Sequence, residues 1–180
     1  MNTFICLLRG INVSGQKMIK MADLKVSFEN CGFTDVITYI QSGNIVFRSS
    51  AKNSKDLEKV IGKMLQDDYG FEVTVIVLTP DEMKVAATNN PFEKDGEKDP
   101  EKCYVVFLQE APKPENIEVL TKYDYAPEAF VIQNRIIYFY AANGMGNAKM
   151  NNNSFENKLK VKASSRNWNT VCKILELAGN

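Results

Sequence analysis

The side chains best placed to hold a ligand fall in two short polar segments near the start of the chain. One is Arg9-Gly10-Ile11-Asn12-Val13-Ser14-Gly15-Gln16-Lys17, and the other is Gln41-Ser42-Gly43-Asn44. A guanidinium beside amide and hydroxyl groups supplies the fixed donors that a carboxylate, a phosphate or a nucleobase edge accepts. The same residue types also serve a plainer purpose, in which Asn and Gln side chains pin two turns to each other with Arg9 packed over them. Under the first reading Arg9, Asn12, Gln41 and Asn44 form a binding site; under the second they form a clasp. Two more polar stretches lie late in the chain. Gly144-Met145-Gly146-Asn147-Ala148-Lys149 sets two glycines before Lys149, which suits either a phosphate cradle or a flexible turn. Ser164-Ser165-Arg166-Asn167 precedes the apolar stripe Trp168, Val171, Cys172 and Leu175, so it reads as the capped start of a helix, where free N–H groups favour an anion. Arg166 in a first helical turn faces the positive end of the helix dipole and requires an anion or a carboxylate beside it.

Other chemistries are excluded by what is missing. The chain has no histidine, which removes the usual general base, nucleophile activator and metal ligand, and with them a histidine-based triad. Catalysis, if any, rests on carboxylates, Lys, Tyr or Cys, and the sequence singles out no residue for it. Cys6, Cys31, Cys103 and Cys172 are scattered without a C-x-x-C pair, as core thiols are, so neither disulfides, a metal nor another cofactor is expected. The stretch from Gly10 to Lys17 nearly spells a P-loop. However, Gln16 separates Gly15 from Lys17, and Met18 stands where a magnesium-binding hydroxyl is required. The acidic segment from Glu93 to Glu101 lacks the ligand spacing of a calcium loop and reads as solvated linker.

The 22 basic and 22 acidic residues cancel, leaving no general pull on nucleic acid. Lys149, Lys158, Lys160, Lys162 and Arg166 form the only dense basic run, and the strand aromatics Phe4, Phe47, Tyr104 and Phe107 match no RNA-recognition signature. Binding of RNA or DNA is therefore the alternative reading and not the favoured one; a ligand-free interaction module is the third. No apolar run reaches the length of a membrane span, and the first residues lack a leader's basic and cleavage regions, so no membrane partner and a cytoplasmic location are expected. The oligomeric state is left open.

The elements that must position these residues are legible from periodicity. Thr3 to Leu8, Asp35 to Ile40, Ile45 to Arg48 and Glu72 to Leu78 read as strands. Met21, Leu24, Phe28 and Cys31 share one helical face, and Leu57, Val60, Ile61, Met64 and Leu65 share another. The order is β-α-β-β-α-β, that of a split β-α-β, ferredoxin-like unit. After a short helix from Asp81 to Thr88, the pattern recurs with strands at Cys103 to Leu108, Ala129 to Gln133 and Arg135 to Tyr140. Helices are expected at Glu115 to Lys122, Ser154 to Lys160 and Arg166 to Ala178, the last standing where a fourth strand would fall. The expectation is an α+β protein of two tandem ferredoxin-like units, mostly antiparallel sheets with helices on one face. The units span residues 1–90 and 101–180 with a linker at about 91–100. In such a unit strands one and two run parallel, which brings Arg9, Asn12, Gln41, Ser42 and Asn44 to one rim.

The segments Leu7-Leu8-Arg9-Gly10-Ile11-Asn12-Val13, Gly32-Phe33-Thr34-Asp35-Val36 and Thr38-Tyr39-Ile40-Gln41-Ser42-Gly43-Asn44-Ile45-Val46-Phe47 are specific. With Asn90-Pro91-Phe92 and Ser165-Arg166-Asn167-Trp168-Asn169-Thr170-Val171, they make the chain resemble the bacterial domain-of-unknown-function family 1697. The resemblance implies tandem ferredoxin-like halves. It carries no established activity and so assigns no catalytic residue. Ser14, where many relatives have Gly, and Asn147-Ala148-Lys149-Met150, where relatives tend to read Ser-Lys-Leu, depart from the family's pattern.

Overall fold

The structure, a computed structural model, describes residues 1–179. It is a mixed α+β protein with two four-stranded antiparallel sheets and, among the described residues, six α-helices. Two compact units divide it, one of Met1–Lys84 together with the chain from Lys173 on, and one of Val85–Cys172.

The first unit is built from β1 (Asn2–Leu8), α1 (Met21–Asn30), β2 (Thr34–Tyr39), β3 (Asn44–Ser49), α2 (Ser54–Tyr69) and β4 (Val75–Leu78), with the sheet order β2-β3-β1-β4. The stripe Leu57, Ile61, Met64 and Leu65 folds α2 onto the sheet face that carries Phe4, Cys6, Leu8, Ile45 and Phe47. Each such buried side chain contributes about 1.5–3 kcal/mol. Asn53 caps α2 by accepting the Lys55 N–H at 2.8 Å, and Gly70 ends it in the left-handed conformation. Phe4 and Phe47 are buried with Phe28 and Phe33. They are core residues and not a platform for bases.

The chain passes from the first unit to the second within α3 (Pro80–Thr88), and the second unit continues with β5 (Cys103–Leu108), α4 (Pro114–Thr121), β6 (Ala129–Gln133), β7 (Ile136–Tyr140), α5 (Asn152–Leu159) and β8 (Ala163–Asn167), in the sheet order β6-β7-β5-β8. The last helix, α6, runs from Trp168 to Ala178. Here the structure corrects the sequence reading. The fourth strand exists, and Arg166 lies in it opposite Val105 instead of in a first helical turn. The residues Ala163-Ser164-Ser165-Arg166-Asn167 have little intrinsic strand preference, and pairing with β5 supplies what propensity does not. Segment 91–100 belongs to the second compact unit. It is less solvated than its charge suggests, since Phe92 is buried and the Lys98 ammonium lies 5.0 Å from the Tyr140 ring centre.

Register makes the two units comparable position by position. Leu7 faces Asn44 as Phe107 faces Ile136, and Leu8 faces Val75 as Leu108 faces Ala163. The backbone bonds at the strand ends match too. Leu8 N–H donates to the Gly43 carbonyl and Leu108 N–H to that of Arg135, while Arg9 N–H donates to Thr74 and Gln109 N–H to Lys162.

One buried phenol gives the second unit a pH limit. Tyr138 is fully buried, donates to the Val85 carbonyl at 3.4 Å, and burial pushes its pKa up to about 12. Below the ordinary phenol value of 10.0 both folded and unfolded chains hold the proton and the contribution is complete. As pH rises through 10.0 towards about 12, only the unfolded chain ionises and stability is lost. Urea unfolding across that window is expected to show a loss on the order of 2–3 kcal/mol in the wild type that Tyr138→Phe removes. Equal pH dependence in both proteins contradicts the assignment.

Candidate functional site

The turns at one end of the first unit are tied by main chain and side chain together. The Leu8-to-Gly43 bond is 2.8 Å and the Arg9-to-Thr74 bond 3.0 Å, so the connection after β1, the turn after β2 and the approach to β4 share one rim. Asn12 fastens the first two. Its Nδ2 donates to the carbonyls of Ile19 and Gln41, each at 2.9 Å, and its Oδ1 accepts the Ile19 N–H at 2.7 Å. Asn12 has φ +56°, a left-handed conformation that asparagine tolerates better than most residues. Asn44, 1% exposed, donates to the Tyr39 carbonyl at 3.1 Å and to Ser42 Oγ at 3.0 Å. Gly43 sits between them under Leu8 and Ile11.

The four rim residues named from sequence therefore meet, in two roles. Asn12 and Asn44 direct their amides into the clasp. Arg9 is half-buried and Gln41 exposed. Lys17, which sequence reasoning weighed only as a failed P-loop lysine, also belongs here. Its ammonium donates to the Glu72 carbonyl and lies 6.0 Å from the Phe71 ring centre. From Arg9 to Ala22 the chain carries Arg9, Lys17 and Lys20 and no acidic residue, and the turn 40–43 carries none either; Glu72 is the rim's acidic residue on the third connection.

Comparison with the second unit isolates what is added at this rim. The β1–α1 connection has twelve residues, 9–20, where β5–α4 has five, 109–113, and the β2–β3 turn has four, 40–43, where β6–β7 has two. The added residues carry strain. Asn12, Ser14, Lys17 and Ile40 all have positive φ, and Ile40, β-branched and 49% exposed, has φ +47°. A β-branched residue in that region is an outlier costing on the order of 1–3 kcal/mol, and such residues gather where function requires them. Asn12 N–H donates to the Lys17 carbonyl and Gln16 N–H to that of Val13, with φ +51° and +73° at Ser14 and Gly15. The insertion is thus a small hairpin standing on the Asn12 clasp.

The second unit elaborates its opposite rim. There the α4–β6 connection, 122–128, has seven residues against three in the first unit, and β7–α5, 141–151, has eleven against four. Glu128, buried, fastens them: Oε1 accepts the Lys149 N–H at 2.5 Å and Oε2 the Met150 N–H at 3.0 Å. The Lys149 ammonium donates to the Ala126 carbonyl at 2.8 Å. Glu128 was missed from sequence because an isolated Glu in a loop carries no signal of the backbone it will hold. Arg166 is buried, and its Nη1 donates to Ser164 Oγ and to the Ser165 carbonyl, each at 2.8 Å. Asn167 Oδ1 accepts the Thr170 N–H at 2.9 Å and so caps α6, while Ser164 and Ser165 lie in β8. Burial raises the pKa of the Cys31 and Cys103 thiols, the direction that makes a thiol a poorer nucleophile.

Among the described residues no helix is long and apolar enough to cross a membrane. The solved structure of a conserved bacterial protein, SP0830 from Streptococcus pneumoniae, matches at 21% sequence identity with a TM-score of 0.76, covering 98% of each chain. At that identity the likeness shows the fold alone. No curated protein matches the chain. The model of the family described as protein of unknown function (DUF1697) matches residues 1–138, and with the segments quoted above lying largely inside that span, the chain belongs to this family.

Proposed function

We propose that the protein is a cytoplasmic binding protein for a small ligand carrying a phosphate or carboxylate, held at the elaborated rim of the first unit by Arg9, Lys17 and Gln41. Asn12 and Asn44 act there as positioning residues that hold the two turns at a fixed separation. In this reading the units are a tandem of ferredoxin-like folds that arose by duplication, which their shared strand order and matching register support. The observation that carries the reading is the internal comparison: on one frame, seven residues more in one connection and two more in another fall at a single rim. They bring cations, exposure and left-handed backbone with them. Lys149, Arg166 and Asn167 enter as parts of the second unit's frame, because Lys149 lies in the connection that Glu128 fastens, Arg166 is buried within β8 and Asn167 caps α6.

Calorimetric titration with inorganic phosphate and with a panel of carboxylates tests the reading. Saturable binding is expected, weakened by roughly 1.5–3 kcal/mol in Arg9→Ala, the range for a hydrogen bond to a charged group. Wild-type protein that binds none of these anions, or that binds them equally well after both Arg9→Ala and Lys17→Ala, contradicts it.

A further inference from the structure

Each sheet ends in two edge strands, and unpaired strand edges invite pairing with another chain unless something blocks them. Three of the four edges are blocked. The ladder of β2 shifts between Thr34 and Ile37, where Asp35 has φ +51° and meets Arg48 Nη1 at 3.5 Å. On β4 the Val77 N–H is taken by Glu58 Oε1 at 3.1 Å, and on β8 the Ala163 N–H is taken by Glu156 Oε1 at 2.8 Å. Both glutamates come from the helix that precedes the strand.

The remaining edge, β6, has no such guard. Its residues Ala129, Phe130, Val131, Ile132 and Gln133 pair one to one with β7 without a shift, and include no charge, proline or glycine. The Arg135 carbonyl accepts from Leu108 of β5. Along β7, therefore, Ile136, Tyr138 and Tyr140 turn their backbone groups to β6, where they face Gln133, Val131 and Ala129. Phe130 and Ile132 are left with N–H and C=O pointing out of the sheet, and no described residue bonds to them.

We infer that β6 is an assembly edge, pairing antiparallel with β6 of a second copy of this chain about a two-fold axis at Val131. In that register the outward groups of Phe130 meet those of Ile132 in the other copy, and the reverse, so that every outward N–H and C=O finds its complement. Phe130 opposite Ile132 is a favourable aromatic–β-branched pair, and both already lean on the helix-covered core. Val131, 36% exposed, meets Val131, and Ala129 meets Gln133. A strand of odd length, uncharged and with a β-branched centre is complementary to itself, which favours a second copy over an unrelated extended peptide.

Sedimentation equilibrium of the full chain tests this. The wild type is expected to pass from monomer to dimer as its concentration rises to millimolar. Val131→Lys, which sets two ammonium groups at the axis, is expected to stay monomeric throughout, and Val131→Thr to dimerise. Amide hydrogen exchange of the wild type gives a readout that needs no variant, with Phe130 and Ile132 slowing as concentration rises. A wild type that stays monomeric, a dimer that a folded Val131→Lys leaves intact, or amides at Phe130 and Ile132 that exchange equally fast in dimer and monomer each overturns the inference. Protection of those amides by an extended peptide while the chain remains monomeric overturns the assignment to a second copy.

Discussion

Gly43→Ala is expected to destabilise the first unit by about 2–5 kcal/mol, because the left-handed conformation costs a residue with a Cβ about 1–2 kcal/mol and overpacking about 1–3 kcal/mol. Gly43 has φ +76°, and a Cβ there would stand 2.7 Å from Leu8 Cβ and 2.9 Å from Ile11 Cδ1. Neither neighbour has room to yield, since both are buried, at 0% and 1% exposure. Against a typical total of about 5–15 kcal/mol the loss is large. Gly15→Ala separates the two causes, for Gly15 has φ +73° and nothing within 4 Å of its would-be Cβ. It is expected to show the conformational cost alone, about 1–2 kcal/mol. Denaturant unfolding that finds the two variants equally destabilised would mean that the rim does not close on Gly43 as described.

Asn12→Ala is expected to cost about 2–4 kcal/mol in the same assay, given a penalty of roughly 1–3 kcal/mol for each buried group left unsatisfied and discounting for partial exposure. Three main-chain groups lose their partner, the carbonyls of Ile19 and Gln41 and the N–H of Ile19, and alanine is less suited than asparagine to φ +56°. Asn12→Asp divides the effect. One carboxylate oxygen still accepts the Ile19 N–H, but the other then faces two carbonyl oxygens, so little stability should return. Full stability in Asn12→Asp would show that the two Nδ2 bonds are dispensable. Because the clasp sets the separation of the turns, both variants are also expected to lose anion binding, and Asn12→Asp should lose it even where it remains folded.

The helices of the first unit were legible because apolar stripes at steps of three and four and terminal Gly70 agree with the packing that results, Val60 excepted at 47% exposure, and the strands because runs of β-branched and aromatic residues mark them, although β4 starts at Val75 and not at Glu72. From strand order alone, Asn12 and Gln41 had to be neighbours, and they are. What periodicity could not decide was the direction of the Asn12 and Asn44 amides, since a clasp and a binding site use the same residue types. Ile40 was hidden for a different reason. An isoleucine continues a strand pattern, and only the register Tyr39 to Asn44 shows that it stands in the turn with its backbone reversed. In the second unit, β8 escaped detection because its small polar side chains gain their strand conformation from β5. Arg166 was misplaced as a consequence, and the helix-dipole argument for an anion at that position goes with it. The added lengths at the two rims become visible only when register aligns one unit on the other, which no single pass along the chain provides.

If the residues added to the first unit's rim take an anion, the second unit supplies its own control. Backbone amide signals followed during a phosphate titration report both at once. Shifts are expected to be confined to residues 9–20 and 40–43, with none at the shorter equivalents 109–113 and 134–135. Shifts that spread equally over both sets, or that centre on Lys149 and leave residues 9–20 unmoved, contradict an anion site at this rim.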